Sequence, residues 1–397
     1  MRITDFESRI VTMPLKKTLK KASADKTFFE EIKNFSFIYA KVITDEDIIG
    51  YGAQILYNPD MSAGWTRYAH RIIKPLLINK IKDPFYVNKF IEIYTNEPMG
   101  IQQMPLPCSV EMALWDIIGK RANMPLYKLW GATKDKVKAY ASLLEPYPLL
   151  RKRDWGLFVK EVSDIGFKAV KLHIAAQWGG VEWKKIIEAV EGIREEVGEG
   201  IEIMIDAEKS WGKPIEFNLN DVINLANALE KLGVIFLEEP LQHLYNPDLS
   251  AQLCQAVNID IAGGGAACRW QAYKNILEKG ALDIVQPDIM FAGGLAEVRK
   301  IAFLAKSYGR TCIPHFWGPG IALAATLQLE GSIDSKYIEY NYHPPAWVPE
   351  ARDAMLSEPI RVDKNGYVKI PEGPGLGVEV NEDIIAKYTV EKDGEIC

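Results

Sequence analysis

Charged and imidazole side chains recur at the ends of short apolar runs in the second half of this chain. Lys171 and His173 lie in AVKLHI, and Asp206 ends IEIMID with Glu208 two residues on. Glu238 lies in VIFLEEP, Asp288 ends DIVQPD, His315 ends RTCIPH, and Glu339 lies within YIEY. Asp206 and Glu238 on neighbouring strands would bring two carboxylates to one point, a donor set suited to Mg²⁺ completed by water and substrate oxygens. The competing reading pairs each with a nearby Lys or Arg. An Asp one strand before His315 would orient the imidazole and raise its basicity. Lys171 and His173 alternate along one strand, so they point the same way. Either is a base facing His315 or a ligand for a carboxylate, and Lys171 could simply neutralise Asp206 or Glu238. Glu339 could bond a substrate carboxylate if its surroundings protonate it, or form a salt bridge. Removing a proton next to a carboxylate needs a base on one side and stabilised ene-diolate charge on the other, and this set offers both.

Positioning such a set takes parallel strands that end at one level. From about Val137, short apolar strands alternate with amphipathic stretches such as WKKIIEAVEGIREEVG and VINLANALEKLG. The strand candidates are VKAYAS, AVKLHI, IEIMID, VIFLEEP, NIDIAGG, DIVQPD, RTCIPH and YIEY. Regular alternation implies βαβ units and a parallel sheet, and eight strands imply closure into a barrel. Lys171 to Asp206 and Asp206 to Glu238 are steps of roughly 35 and 32 residues, one βα unit each. Barrel enzymes carry their chemistry at the C-terminal strand ends.

The chain before about residue 130 reads differently. FSFIYAKVIT and IIGYGAQI flank Asp45-Glu46-Asp47 as a hairpin, and VEMALWDIIGK has helical spacing with Ser109 as its N-cap. This is an α+β module. The tail from about Pro344 has turn signals and a short strand, GYVKI, and is expected to pack back on that module.

A net charge of −6 argues against a nucleic-acid surface. The one basic run, Lys16, Lys17, Lys20, Lys21 and Lys26, is either a solvated face or a loop that attracts an anionic substrate. Five scattered cysteines without a C-x-x-C pair fit a reducing compartment and offer no zinc site. No apolar run approaches the length of a membrane span, and MRITDFESRIVTMPL lacks a signal peptide's apolar stretch. A cytoplasmic protein is expected, bound to neither membrane nor nucleic acid.

SVEMALWDIIGK followed by MPLYKLWGA, then AVKLHI, MIDAEKSW, FLEEPLQH, QPDIMFAGG and IPHFWGPG, occur in an order and spacing that cover nearly the whole chain. By these markers the chain resembles the mandelate racemase/muconate lactonizing enzyme family of the enolase superfamily. The resemblance implies an α/β fold, a modified (β/α)7β TIM-type barrel (131–343) with an α+β capping domain (1–130) and a C-terminal segment (344–397). It implies Lys171 and His173 as the paired-base strand and Asp206 and Glu238 as metal ligands. Asp288 with His315 would be the His-Asp dyad, and Glu339 the acid on the carboxylate side.

Two positions depart from the family pattern. Its third metal ligand, a Glu, falls on Gly265, so Glu208 or water would have to replace it. His173 stands where lysine is common. The implied activity is a Mg²⁺-dependent dehydratase of a sugar acid, an aldonate or aldarate, giving a 2-keto-3-deoxy acid. Its rivals are a racemase or epimerase of a 2-hydroxy acid, and a binding or vestigial homologue with an impaired metal site. The lysine run would fall in the loop that selects substrate, Trp211 and Trp317 would line the pocket or pack, and a homo-oligomer is expected.

Overall fold

The computed structural model describes residues 1–22, 29–56, 62–95, 105–143, 152–173, 183–207, 218–241 and 246–396. Three long strands open the chain, β1 (Ile3–Ala22), β2 (Phe29–Thr44) and β3 (Ile49–Leu56), and β2 and β3 form the expected hairpin around Asp45-Glu46-Asp47. The helix that follows spans Pro105–Arg121, so Ser109 lies inside it and is buried. The expected N-cap is therefore corrected: the helix begins a turn earlier, where Pro105 and Pro107 are tolerated because first-turn N–H groups have no intrahelical acceptor.

Eight strands then run parallel: β4 (Lys136–Leu143), β5 (Ala169–His173), β6 (Glu202–Asp206), β7 (Val234–Glu238), β8 (Asp260–Gly263), β9 (Ile284–Val285), β10 (Thr311–Cys312) and β11 (Tyr337–Asn341). One helix separates each consecutive pair, which makes a (β/α)7β chain order. The sheet order is β10-β9-β8-β7-β6-β5-β4-β11, so the last strand returns beside the first and the sheet curls towards closure. Across the seam between β10 and β11, side chains do the joining. Asn341 Nδ2 donates to Phe316 O at 2.8 Å, and Phe316 N donates to Glu339 Oε2 at 3.0 Å. The helix on this seam, Gly320–Glu330, is buried along its entire length, which explains why it lacks a polar face.

The tail is shared between the two parts. β12 (Tyr367–Lys369) pairs antiparallel with β4, whereas β13 (Thr389–Lys392) and β14 (Glu395–Ile396) extend the capping sheet in the order β14-β13-β1-β2-β3. The capping module has its own core, in which Phe6, Ile38 and Val42 meet Val110, Leu114 and Ile117 of the long helix.

Inside the barrel, one residue from each strand or its immediate extension fills the interior: Tyr140, Ala169, Met204, Phe236, Ala262, Ile284, Ile313 and Tyr337. Side chains two and four residues further along a strand point the same way and stand above this plug. That rule delivers Ser142, Lys171, His173, Asp206, Glu238, Gln286, Asp288, His315, Glu339 and Asn341 to the barrel mouth. Among the described residues no helix is long and apolar enough to cross a membrane.

Candidate active site

Lys171, fully buried, is the hub. Its Nζ donates to both oxygens of Glu238 (2.9 and 2.7 Å) and lies 2.8 Å from Glu339 Oε1 and 3.3 Å from Asp206 Oδ2. Against the cost of burial, the charges of Glu238 and Glu339 hold the ammonium pKa well above its ordinary value. Lys171 thus forms ion pairs with Glu238, Glu339 and Asp206 in this structure.

Glu339 accepts from Ser142 Oγ at 2.7 Å and from Phe316 N at 3.0 Å. Burial opposes its ionisation, but Lys171 and then His315 hold its carboxyl at about 2. Its carboxyl is anchored by these contacts. Burial, and Asp206 beside it, push the Glu238 carboxyl well above the usual range. Gln286 Nε2 donates to Glu238 Oε2 at 2.7 Å.

The two histidines are driven apart. Burial lowers the His173 pKa, with Asp206 opposing and Lys171 assisting. Its Nε2 lies 3.2 Å from Ser142 Oγ, and its Nδ1 lies 3.4 Å from Asp206 Oδ2. His315 goes the other way. Burial would lower its pKa, but Glu339 and the 2.7 Å contact from Nδ1 to Asp288 Oδ2 raise it to about 10. Asp288 is itself fixed by Met290 N, which donates to Oδ1 at 2.6 Å.

The side chains named from sequence at positions 171, 173, 206, 238, 288, 315 and 339 therefore meet at one mouth. Glu208 and Trp211 lie outside the described residues, as does Lys26. Of the lysine run, Lys17 is described as exposed. Trp317 is buried and stacks on Trp347 with ring centroids 6.5 Å apart, so it packs. Sequence reasoning missed Ser142, Gln286 and Asn341, which the rule of two residues beyond the plug would have found.

Asp206 and Glu238 end adjacent strands in register and could hold a divalent cation. The donor set supports that fit. Four carboxylates (Asp206, Glu238, Asp288 and Glu339) stand around Lys171 and His315, and the oxygens of Asp206 and Glu238 are donors of the kind a hard divalent cation takes. Among the described residues no group of three or more His, Cys, Asp and Glu side chains could hold a metal ion, and Glu208, expected as a further ligand, lies outside them. Gly265 supplies no third: a Cβ there would fall 3.3 Å from Cγ and Cδ2 of His315.

This fold and site define an acid/base enzyme of the enolase superfamily. Residues 157–384 match the enolase C-terminal domain-like family, and residues 13–131 match the mandelate racemase/muconate lactonizing enzyme N-terminal domain. The chain belongs to this family. It is 32% identical over 360 residues to an arabinonate dehydratase of Saccharolobus solfataricus, covering 88% of this chain and 90% of that protein. It is 33% identical over 292 residues to a D-galactarolactone cycloisomerase of Agrobacterium fabrum, covering 70% and 72%. A solved enolase superfamily member from Polaromonas sp. JS666 superposes with a TM-score of 0.81 at 26% identity, covering 98% of each chain.

Proposed function

We propose that the protein is a Mg²⁺-dependent dehydratase of a sugar acid, an aldonate or aldarate. The observation that carries the reading is the pair of imidazoles pushed in opposite directions, His173 towards the neutral form and His315 towards the imidazolium. Groups whose environments drive their pKa values apart divide the work of base and acid.

In this reading His173 takes the α-proton as the C–H bond breaks, and the electron pair forms the C=C bond of an enol. His315 gives its proton to the β-hydroxyl as the C–O bond breaks, and water leaves. The enol then becomes the 2-keto-3-deoxy acid. The ammonium of Lys171 faces the charge that gathers on the substrate carboxylate, and Glu339 with Ser142 keeps Lys171 and His173 in place. Mg²⁺ on Asp206 and Glu238 would supply further positive charge for the ene-diolate. Similarity to the arabinonate dehydratase supports dehydration over other outcomes of the same proton removal. The reading also takes the protein to be cytoplasmic and a homo-oligomer, with a small-molecule substrate as its partner.

The test is a panel of aldonates and aldarates incubated with purified protein and Mg²⁺ in D₂O. A 2-keto product from one of them is expected. Deuterium at the α-carbon of recovered, undehydrated substrate would replace the reading with a racemase or epimerase. Neither product nor exchange, with no Mg²⁺ bound in calorimetry, would leave a binding or vestigial homologue.

A further inference from the structure

The segment that carries Asp288 is held from outside the barrel. Gln54, on β3 of the capping sheet and fully buried, donates from Nε2 to Met290 O at 2.9 Å. The same residue's N–H donates to Asp288 Oδ1 at 2.6 Å, and Asp288 Oδ2 meets His315 Nδ1 at 2.7 Å. One unbroken series of contacts thus runs from the buried capping sheet to the half-buried imidazole. The far end of the segment is clasped by the capping domain as well, because Glu111 accepts from Leu295 N (2.9 Å) and Ala296 N (3.0 Å).

The amide orientation of Gln54 is dictated by its partner, since only Nε2 can face a carbonyl oxygen. Among the described residues its own buried Oε1 has no hydrogen-bond partner. The hydrogen bond that Gln54 makes goes to the turn that aims Asp288.

We infer that Gln54 is a positioning residue for the dyad, holding Asp288 in line with His315 through Met290. The inference rests on the acid role proposed for His315, but its test reads the imidazole in the resting protein and needs no substrate. Among the described residues the charged or titratable groups facing that ring are Asp288, Glu339, Lys171, Glu238 and His173, while Gly265, just past β8, presents no side chain. Of these, Asp288 is the one that Gln54 reaches.

The experiment uses full-length protein labelled with [¹⁵N]histidine, with His315→Asn to assign the resonance. Gln54→Leu removes the donor, and Gln54→Met is the second variant should leucine fail to fold. Expected in either is a His315 titration midpoint lower by about one pH unit, with faster exchange of the Nδ1 proton. Loss of activity above neutral pH should follow the same shift. A midpoint and Nδ1–H resonance identical to the native protein's would overturn the inference, whatever the activity. A shifted midpoint in a protein that dehydrates nothing would leave the inference standing and defeat the proposed function instead.

Discussion

Placing a carboxylate at position 265 separates what the missing side chain does to the metal from what it does to the imidazole. A Cβ on Gly265 would lie 3.3 Å from Cγ and Cδ2 of His315, a contact the ring must relieve by a few tenths of an ångström. Moving an imidazole off its rotamer costs about 0.5–1.5 kcal/mol, and this ring is also tied to Asp288 at 2.7 Å. Gly265→Ala imposes that contact without charge. Gly265→Glu adds a carboxylate within a few ångströms of the mouth. At an effective dielectric of about 20, a unit charge and a divalent ion roughly 5 Å apart attract by about 7 kcal/mol. Desolvation of the new carboxylate and its repulsion from Asp206 and Glu238 remove most of this. A net gain of about 1.5–3 kcal/mol remains, roughly 10- to 100-fold in affinity.

Calorimetric titration with Mg²⁺ reads the result directly. Native protein and Gly265→Ala should bind Mg²⁺ equally weakly, and Gly265→Glu should bind it 10- to 100-fold tighter. Both variants should lose about tenfold in kcat through the displaced His315. Equal Mg²⁺ affinity in all three would refute the reasoning, because position 265 would then not face the cation held by Asp206 and Glu238. Unchanged kcat in Gly265→Ala would show that the ring has room to spare.

The other predictions are briefer. His315→Asn should abolish dehydration while leaving exchange of the α-proton with D₂O within about tenfold, since His173 removes that proton; loss of both together would contradict the division of roles. The pH profile of kcat/KM should fall at low pH through a His173 pKa below 6.5, because the base must be neutral. It should fall at high pH near 10, because the acid must be protonated, and an alkaline limb near 7 would show that Asp288 and Glu339 do not hold the imidazolium. The raised His315 pKa also contributes stability that is fully present below pH 6.5 and fades as pH rises through about 10. Lys171→Met strips the cation from Asp206, Glu238 and Glu339, so the protein should lose about 3–5 kcal/mol and its melting midpoint should drop by several degrees. A midpoint within a degree of native would mean the three carboxylates protonate freely instead.

The barrel was legible because its strands are buried on both faces and its helices on one. Apolar runs such as AVKLHI and IEIMID alternated with amphipathic stretches, and the order of units followed. The end of each run was legible too, since burying a charge is tolerated only where partners wait for it. Less legible were features that depend on contact between distant segments. β1 is a long strand broken by a register shift between Pro14 and Leu19, and its pairing along β2 has no strict two-residue alternation to announce it. The helix before the barrel begins ahead of Ser109 because both of its sides are buried, so no polar cap marks its start. Ser142, Gln286 and Asn341 were overlooked because uncharged polar residues inside a strand carry no signal of their own. They become significant only once Tyr140, Ile284 and Tyr337 are known to fill the barrel beneath them.

The state of each group was less legible than its place, and the reason is electrostatic. A strand-end pattern says that Lys171, Glu238 and Glu339 share a mouth, but which of them is charged depends on sub-ångström differences in who touches whom. Glu339 receives Lys171, Ser142 and the Phe316 N–H, and is held as a carboxylate at about 2. Glu238 receives the same lysine and Gln286 but lies beside Asp206, and its carboxyl is pushed up instead. Burial lowers both histidines, but Glu339 and the 2.7 Å contact with Asp288 overcome it at His315, whereas Asp206 at 3.4 Å does not overcome it at His173. A difference of 0.7 Å in that one contact accompanies the split between the imidazole suited to take a proton and the one suited to give it. Moving the His173–Asp206 contact to hydrogen-bond distance should therefore raise the His173 pKa and carry the acid limb of activity upward with it.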